Sequence, residues 1–228
     1  MSRERAHPTP ALHAYVARRV AQRPPLRREL AAAAALLITV AVAFAWQWLA
    51  APSAIARGPG VVAPRAPLQL PLDREGPVFE KDGFRVAAVA SFELEARVIR
   101  SKAYCCTGPD RLAPIDVVFG WGRVSDESVL ERIDFRQSGR LYLWRYEGAS
   151  PIPPREIEVS SANMHLIPAT DAVGRRLERL RPGNVVTLRG YLVVVTRYDG
   201  FVWRSSLTRA DTGNGAGELL WVEELEAS

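Results

Sequence analysis

The chain has 228 residues, 48% of them hydrophobic and 24% charged, with a formal net charge of +5. That excess is local. Residues 1–29 hold seven arginines against two glutamates, while residues 30–228 balance 23 basic against 23 acidic groups, so the bulk of the chain lacks the electrostatic footprint of a nucleic-acid partner.

Residues 1–29 form a basic tail bounded by Pro8, Pro10, Pro24 and Pro25. Within it, ALHAYVARRVAQ places Leu12, Tyr15, Val16 and Val20 on one helical face, a pattern shared by short surface helices and by plain topology signals. The uncharged run Leu30–Ala51 follows, LAAAAALLITVAVAFAWQWLAA. As a helix it would rise roughly 33 Å, enough for a hydrocarbon core of about 30 Å. It is expected to be a transmembrane helix over residues 30–51. The arginines before it and Trp46 and Trp48 at its far end orient the N-terminus to the cytoplasm.

A cleaved signal peptide is the competing reading, because Ala54, Ile55 and Ala56 form a small-residue site beyond the run. Both the basic region and the apolar run exceed that pattern, whose apolar core is about 7–15 residues. Arginine outnumbers lysine 28 to 2, read here as the base-composition bias of a bacterial genome. The expected location is therefore a bacterial inner membrane, with the C-terminal part in the periplasm and the lipid bilayer as a first partner.

Six prolines (Pro52, Pro59, Pro64, Pro67, Pro71 and Pro77) mark residues 52–77 as an extended linker holding the next domain off the membrane. Residues 78–228 then read as one β-rich domain. In SFELEARVIRSKAY, Phe92, Leu94, Ala96 and Val98 alternate with polar partners as a half-buried strand does. IDVVFGWG, RLYLWRY, VVTLRGYLVVVT, FVWRSSL and ELLWVEEL are further strand-like runs. Two short helices are expected, one in SDESVLERI from Ser125 and one in DAVGRRLERLRPG from Asp171 with a Pro182–Gly183 stop. This order fits an OB-like small β-barrel, with Gly190 supplying a bend in the long strand; a β-sandwich is the alternative.

In SANMHLIP, Ser161, Asn163 and His165 alternate, so a strand would present all three on one face. His165 is the sole histidine after the apolar run and a candidate proton acceptor. Ser161, Ser205 or Ser206 would serve as nucleophile and Asp116 or Asp126 as orienting carboxylate. The chain lacks a G-x-S-x-G elbow, and the expected role of His165 is structural, held in a hydrogen-bond network, with catalysis the alternative. Trp121, between two glycines, joins Asn163, His165, Arg204 and Arg209 as candidate binding residues; the two arginines would favour an anionic or carboxylate partner. Trp121 and the strand tryptophans Trp144, Trp203 and Trp221 could line a groove, but core packing of a β-domain is the expected role.

Cys105 and Cys106 are the only cysteines. In an oxidising compartment they could form a vicinal disulfide, bridge two chains, or remain reduced. No ligand spacing for a metal and no cofactor motif is present; DTGNG (Asp211–Gly215) reads as a turn.

The phrases APIDVVFGWGRVSD (Ala113–Asp126), SANMHLIPA (Ser161–Ala169), LRGYLV (Leu188–Val193) and WRSSLTRADTG (Trp203–Gly213) resemble those of a group of uncharacterised bacterial proteins with one N-terminal span and a periplasmic domain. The resemblance covers roughly residues 75–226. It implies that architecture and no activity. Cys105–Cys106 and GAGEL (Gly215–Leu219) depart from the pattern. The expectation is a membrane-anchored periplasmic binding or accessory module that contacts another envelope protein, with a hydrolase-like enzyme using His165 as the alternative.

Overall fold

The computed structural model describes residues 26–49, 54–208 and 217–228, and the chain divides into two compact units, Met1–Pro52 and Ser53–Ser228. The surface-helix pattern in ALHAYVARRVAQ lies outside the described residues.

The first unit contains helix α1, Leu26–Leu49, which covers most of the apolar run. Its first turn carries Arg27, Arg28 and Glu29, and its side chains are described only within Leu30–Val42. Among the described residues no helix is long and apolar enough to cross a membrane. The transmembrane expectation for residues 30–51 is therefore not carried by the described residues.

The second unit is mainly β. One mixed sheet holds eight strands: β1 (Leu68–Pro71), β2 (Val78–Lys81), β3 (Phe84–Ala103), β4 (Ile115–Gly120), β7 (Ser161–Pro168), β8 (Val185–Thr196), β9 (Val202–Arg204) and β10 (Glu218–Ala227). A separate antiparallel hairpin is formed by β5 (Asp134–Ser138) and β6 (Leu141–Arg145). Strand β3 is long enough for four partners, pairing β8 through Arg85–Arg97 and β4 through Arg97–Ala103, with β2 and β1 along the edge opposite β8 over Phe84–Glu93. Strand β4 pairs β7 antiparallel, β7 pairs β10 in parallel, and β10 pairs β8 antiparallel. The pairings β3–β4–β7–β10–β8 thus return to β3.

The two expected helices are present as α3 (Glu127–Leu130), capped by Asp126, and α5 (Asp171–Leu177), capped by Thr170. Two more, α2 (Gly108–Leu112) and α4 (Pro154–Val159), start at prolines in their first positions, where a missing N–H costs nothing.

The expected alternation in β3 holds. Phe92, Leu94, Ala96 and Val98 are buried in one core with Val117 and Phe119 of β4, Met164 and Leu166 of β7, Leu188 and Leu192 of β8, and Leu220 and Val222 of β10. Val173, Leu177 and Leu180 of α5 and the turn after it complete this core. Each fully buried large side chain contributes about 1.5–3 kcal/mol. All residues of β4 and β7 are buried, so these strands are covered on both faces. The second cover is a core of Val118, Val124, Ile133, Phe135, Ile152 and Ile157, built from the segment between β4 and β7.

Residues 54–77, expected to be a spacer, belong to this folded unit. The Ile55 amide donates to the Pro182 carbonyl at 2.8 Å and Arg57 Nε to the Gly183 carbonyl at 2.6 Å. Gly60 N reaches Asp126 Oδ1 at 3.0 Å and Ala63 N reaches Ser125 Oγ at 3.1 Å. The prolines keep the backbone extended, and the residues between them supply the donors. Proline density predicts the extended shape and is silent about whether a surface accepts it.

Gly190 pairs with Phe92 on one side and Val222 on the other, next to a register shift between Val222 and Glu224. A Cβ there would lie 1.8 Å from the Trp221 carbonyl oxygen. Glycine is needed for close approach of two backbones, rather than for the bend expected from sequence. Gly190→Ala should cost about 3 kcal/mol or more, because strand backbone cannot yield as a side chain can. Gly139→Ala, at φ +57 with open space around it, should cost about 1–2 kcal/mol. Denaturant midpoints of the two variants check this ordering.

Candidate functional site

A buried polar cluster lies on the face of β4 and β7 that points away from the central core. Strand alternation puts Ala162, Met164 and Leu166 into that core and Ser161, Asn163 and His165 on the other face, as expected. The antiparallel register sets Asp116 opposite His165 and Val118 opposite Asn163. Asp116 is fully buried and His165 is 5% exposed.

Arg140, in the two-residue Gly139–Arg140 turn of the β5–β6 hairpin, joins the cluster together. Its Nη1 donates to Asp116 Oδ1 at 2.8 Å, and its Nη2 to Asp110 Oδ1 at 2.8 Å and the Ala113 carbonyl at 3.0 Å. The guanidinium lies over the rings of Tyr104, 4.3 Å away, and Trp203, 5.0 Å away. Asn163 Nδ2 donates to the Arg140 carbonyl at 3.1 Å, and Gln137 Nε2 donates to Asn163 Oδ1 at 2.8 Å. His165 Nδ1 sits 2.9 Å from Asp116 Oδ1, off the hydrogen-bond direction, so its contact with the carboxylate is electrostatic. The imidazole is tilted against Trp203 at 5.1 Å. A Cβ at Gly217 would come within 2.6 Å of His165 Nε2, so glycine there lets the chain pass directly over the ring.

Charge within the cluster shifts its neighbours. Burial, with the Asp116 carboxylate beside it, pushes the Tyr104 phenol above its ordinary range. Burial also raises Tyr142. A hydrogen bond from Thr107 holds Asp110 below the usual carboxylate range, helped by Arg140.

The structure brings His165 and Asp116 together and places Ser161 away from them, while Ser205 and Ser206 bond the backbone of Leu219 and Gly217 beside the imidazole. Ser161, four residues along the strand from His165 and so about 13 Å away, donates through Oγ to the Ile157 carbonyl at 2.7 Å. Ser205 Oγ donates to the Ser206 carbonyl at 2.8 Å and accepts from Leu219 N at 3.0 Å; Ser206 Oγ donates to the Thr208 carbonyl at 2.8 Å. Asp126 is not a partner of His165. Its carboxylate accepts from Ser128 N and Gly60 N, capping α3 and fastening the preceding segment.

Among the candidate binding residues, Trp121 is 2% exposed and packed in the central core, because its extended backbone continues the inward alternation of β4. Trp221 stacks on Phe79 at 4.3 Å, and Trp144 and Trp203 are half-buried. Arg204 is exposed on β9, and Arg209 lies outside the described residues. Cys105 and Cys106 are joined as a vicinal disulfide, exposed, with Cys106 at φ +85. Among the described residues no group of three His, Cys, Asp or Glu side chains could hold a metal ion.

Sequence reasoning missed Arg140, Gln137, Tyr104 and Asp110. The signal available was Ser138–Gly139 between two strand-like runs, a hairpin turn that puts Arg140 at a tip. Comparison with protein-family models, curated proteins and solved structures finds no match.

Hydrogen bonds from Gly60, then from Ser128, hold Asp126 below the ordinary carboxylate pKa. A depressed folded pKa contributes stability above the unfolded value of about 3.9, and that contribution is lost as pH falls through the folded value. The gap in urea midpoint between wild type and Asp126→Asn should therefore narrow as pH drops from about 6 to about 2.5. A gap independent of pH would contradict this role.

Proposed function

We propose that this chain is a single-pass, membrane-anchored binding module of the bacterial envelope, with an OB-type barrel in the periplasm, that works by contacting another envelope protein. The OB-type reading is supported by the pairing cycle. Taken in chain order, β3, β4, β7, β8 and β10 pair first to second to third to fifth to fourth and back to first, with α5 between third and fourth. In OB folds the second and third strands offer the face that takes oligonucleotides or oligosaccharides. Here the chain's own β5–β6 hairpin and α4 cover that face, which argues against such ligands.

Anchoring is supported by α1. Leu36, Leu37, Ile38 and Val40 are each more than half exposed, and an apolar surface of that kind is stable in lipid rather than in water. The basic tail supports an N-in orientation.

The observation that carries binding over catalysis is His165 itself: 5% exposed and set against a carboxylate already bound by Arg140, with every candidate serine hydroxyl donating to backbone. The hydrolase alternative keeps an orienting carboxylate, but each of its candidate serine hydroxyls is committed to a backbone carbonyl. Full-length protein in its native membranes should stay unlabelled by a fluorophosphonate probe under conditions that saturate a serine hydrolase. Site-selective labelling that His165→Ala abolishes would overturn the binding reading.

A further inference from the structure

We infer that the arginine-rich rim where the chain joins the domain binds the anionic headgroups of the membrane holding α1. The inference rests on the anchor reading above and names a surface that reading does not require. The junction is fixed by the hydrogen bond from Ile55 N to the Pro182 carbonyl. Only residues 50–54 lie between Leu49, the last residue of α1, and Ile55, and a segment that short spans at most about 20 Å. On the anchor reading, that chain length limits how far from the lipid the surface around Pro182 can be.

What surrounds it is basic. Arg181 directly precedes Pro182, and Arg57 grips the carbonyls of Gly183 and Ser228. Arg175, Arg176 and Arg179 project from α5 and the turn after it, and with Arg181 all four are exposed. Among the described residues none of these four forms an ion pair, although Arg176 donates to the Leu225 carbonyl at 2.9 Å. Arg176 and Arg179 border an open cleft of about 490 Å³ that also meets Asn184, Leu225 and Glu226. Glu178 and Glu226 offset part of the charge, leaving three positive charges in excess from these seven residues. The chain from residue 30 onward is neutral, so this is a local concentration of charge.

Helix-end compensation accounts for Arg175 and Arg176, which lie in the last turn of α5. It does not account for Arg179, Arg181 and Arg57, which lie beyond that helix. Guanidinium groups pair with phosphate through two parallel hydrogen bonds, and attraction to an anionic surface persists for about 8 Å at physiological salt. A short tether is therefore needed for the rim to work, and this chain has one.

Full-length protein should be reconstituted into vesicles of phosphatidylcholine alone and into vesicles containing phosphatidylglycerol, with amide hydrogen exchange read over residues 171–184 and 223–228. The rim should exchange about five-fold more slowly in anionic vesicles, the factor expected from a single arginine held near such a surface. A variant carrying Arg175→Gln, Arg179→Gln and Arg181→Gln should lose that difference while keeping the wild-type melting temperature. Equal exchange of wild type in the two lipids would overturn the inference, as would equal protection by inorganic phosphate added to phosphatidylcholine vesicles. Alkaline carbonate extraction separates the two readings. Release of the chain overturns the anchor and the headgroup source with it, whereas retention with unchanged exchange overturns the inference alone.

Discussion

A carboxylate with no solvent exposure needs a cation, and in this domain Asp116 depends on Arg140. Removing a carboxylate from water costs several kcal/mol unless a partner and hydrogen bonds make up for it. Arg140 can reach Asp116 only if the β5–β6 hairpin folds back over β4 and β7, which also closes the second core around Val118, Phe135 and Ile157. One ion pair thereby joins a β4 residue buried under the hairpin to the hairpin tip. Asp110 and the rings of Tyr104 and Trp203 enclose the same guanidinium, so α2 and the end of β3 are tied in as well.

The same closure buries His165: with the outer face of β4 and β7 covered by the hairpin, the imidazole lies against Asp116, Trp203 and Gly217. The segment expected to be a spacer is part of the domain instead, with residues 55–63 docked against Pro182, Gly183, Ser125 and Asp126.

Much of the fold was legible from period alone. The alternation of Phe92, Leu94, Ala96 and Val98, the shared face of Ser161, Asn163 and His165, and the starts of α3 and α5 all follow from side-chain spacing and capping, which are local properties. Trp121 takes the core rather than the groove position, a choice that its flanking glycines do not decide. Docking of residues 54–77 could not be read from the prolines, since its acceptors, Ser125, Asp126 and Pro182, are distant in sequence. The ion pair of Asp116 with Arg140 was hidden for the same reason. A register between strands decides it, and alternation leaves that register open.

The most direct test is a double-mutant cycle on Asp116→Asn and Arg140→Gln, read as unfolding free energy in denaturant. If the hairpin is held by this pair, each single substitution should be strongly destabilising and the coupling should reach about 2 kcal/mol or more, with Arg140→Gln alone also opening residues 134–145 to hydrogen exchange. Additive effects, with coupling below about 0.5 kcal/mol, would contradict the account.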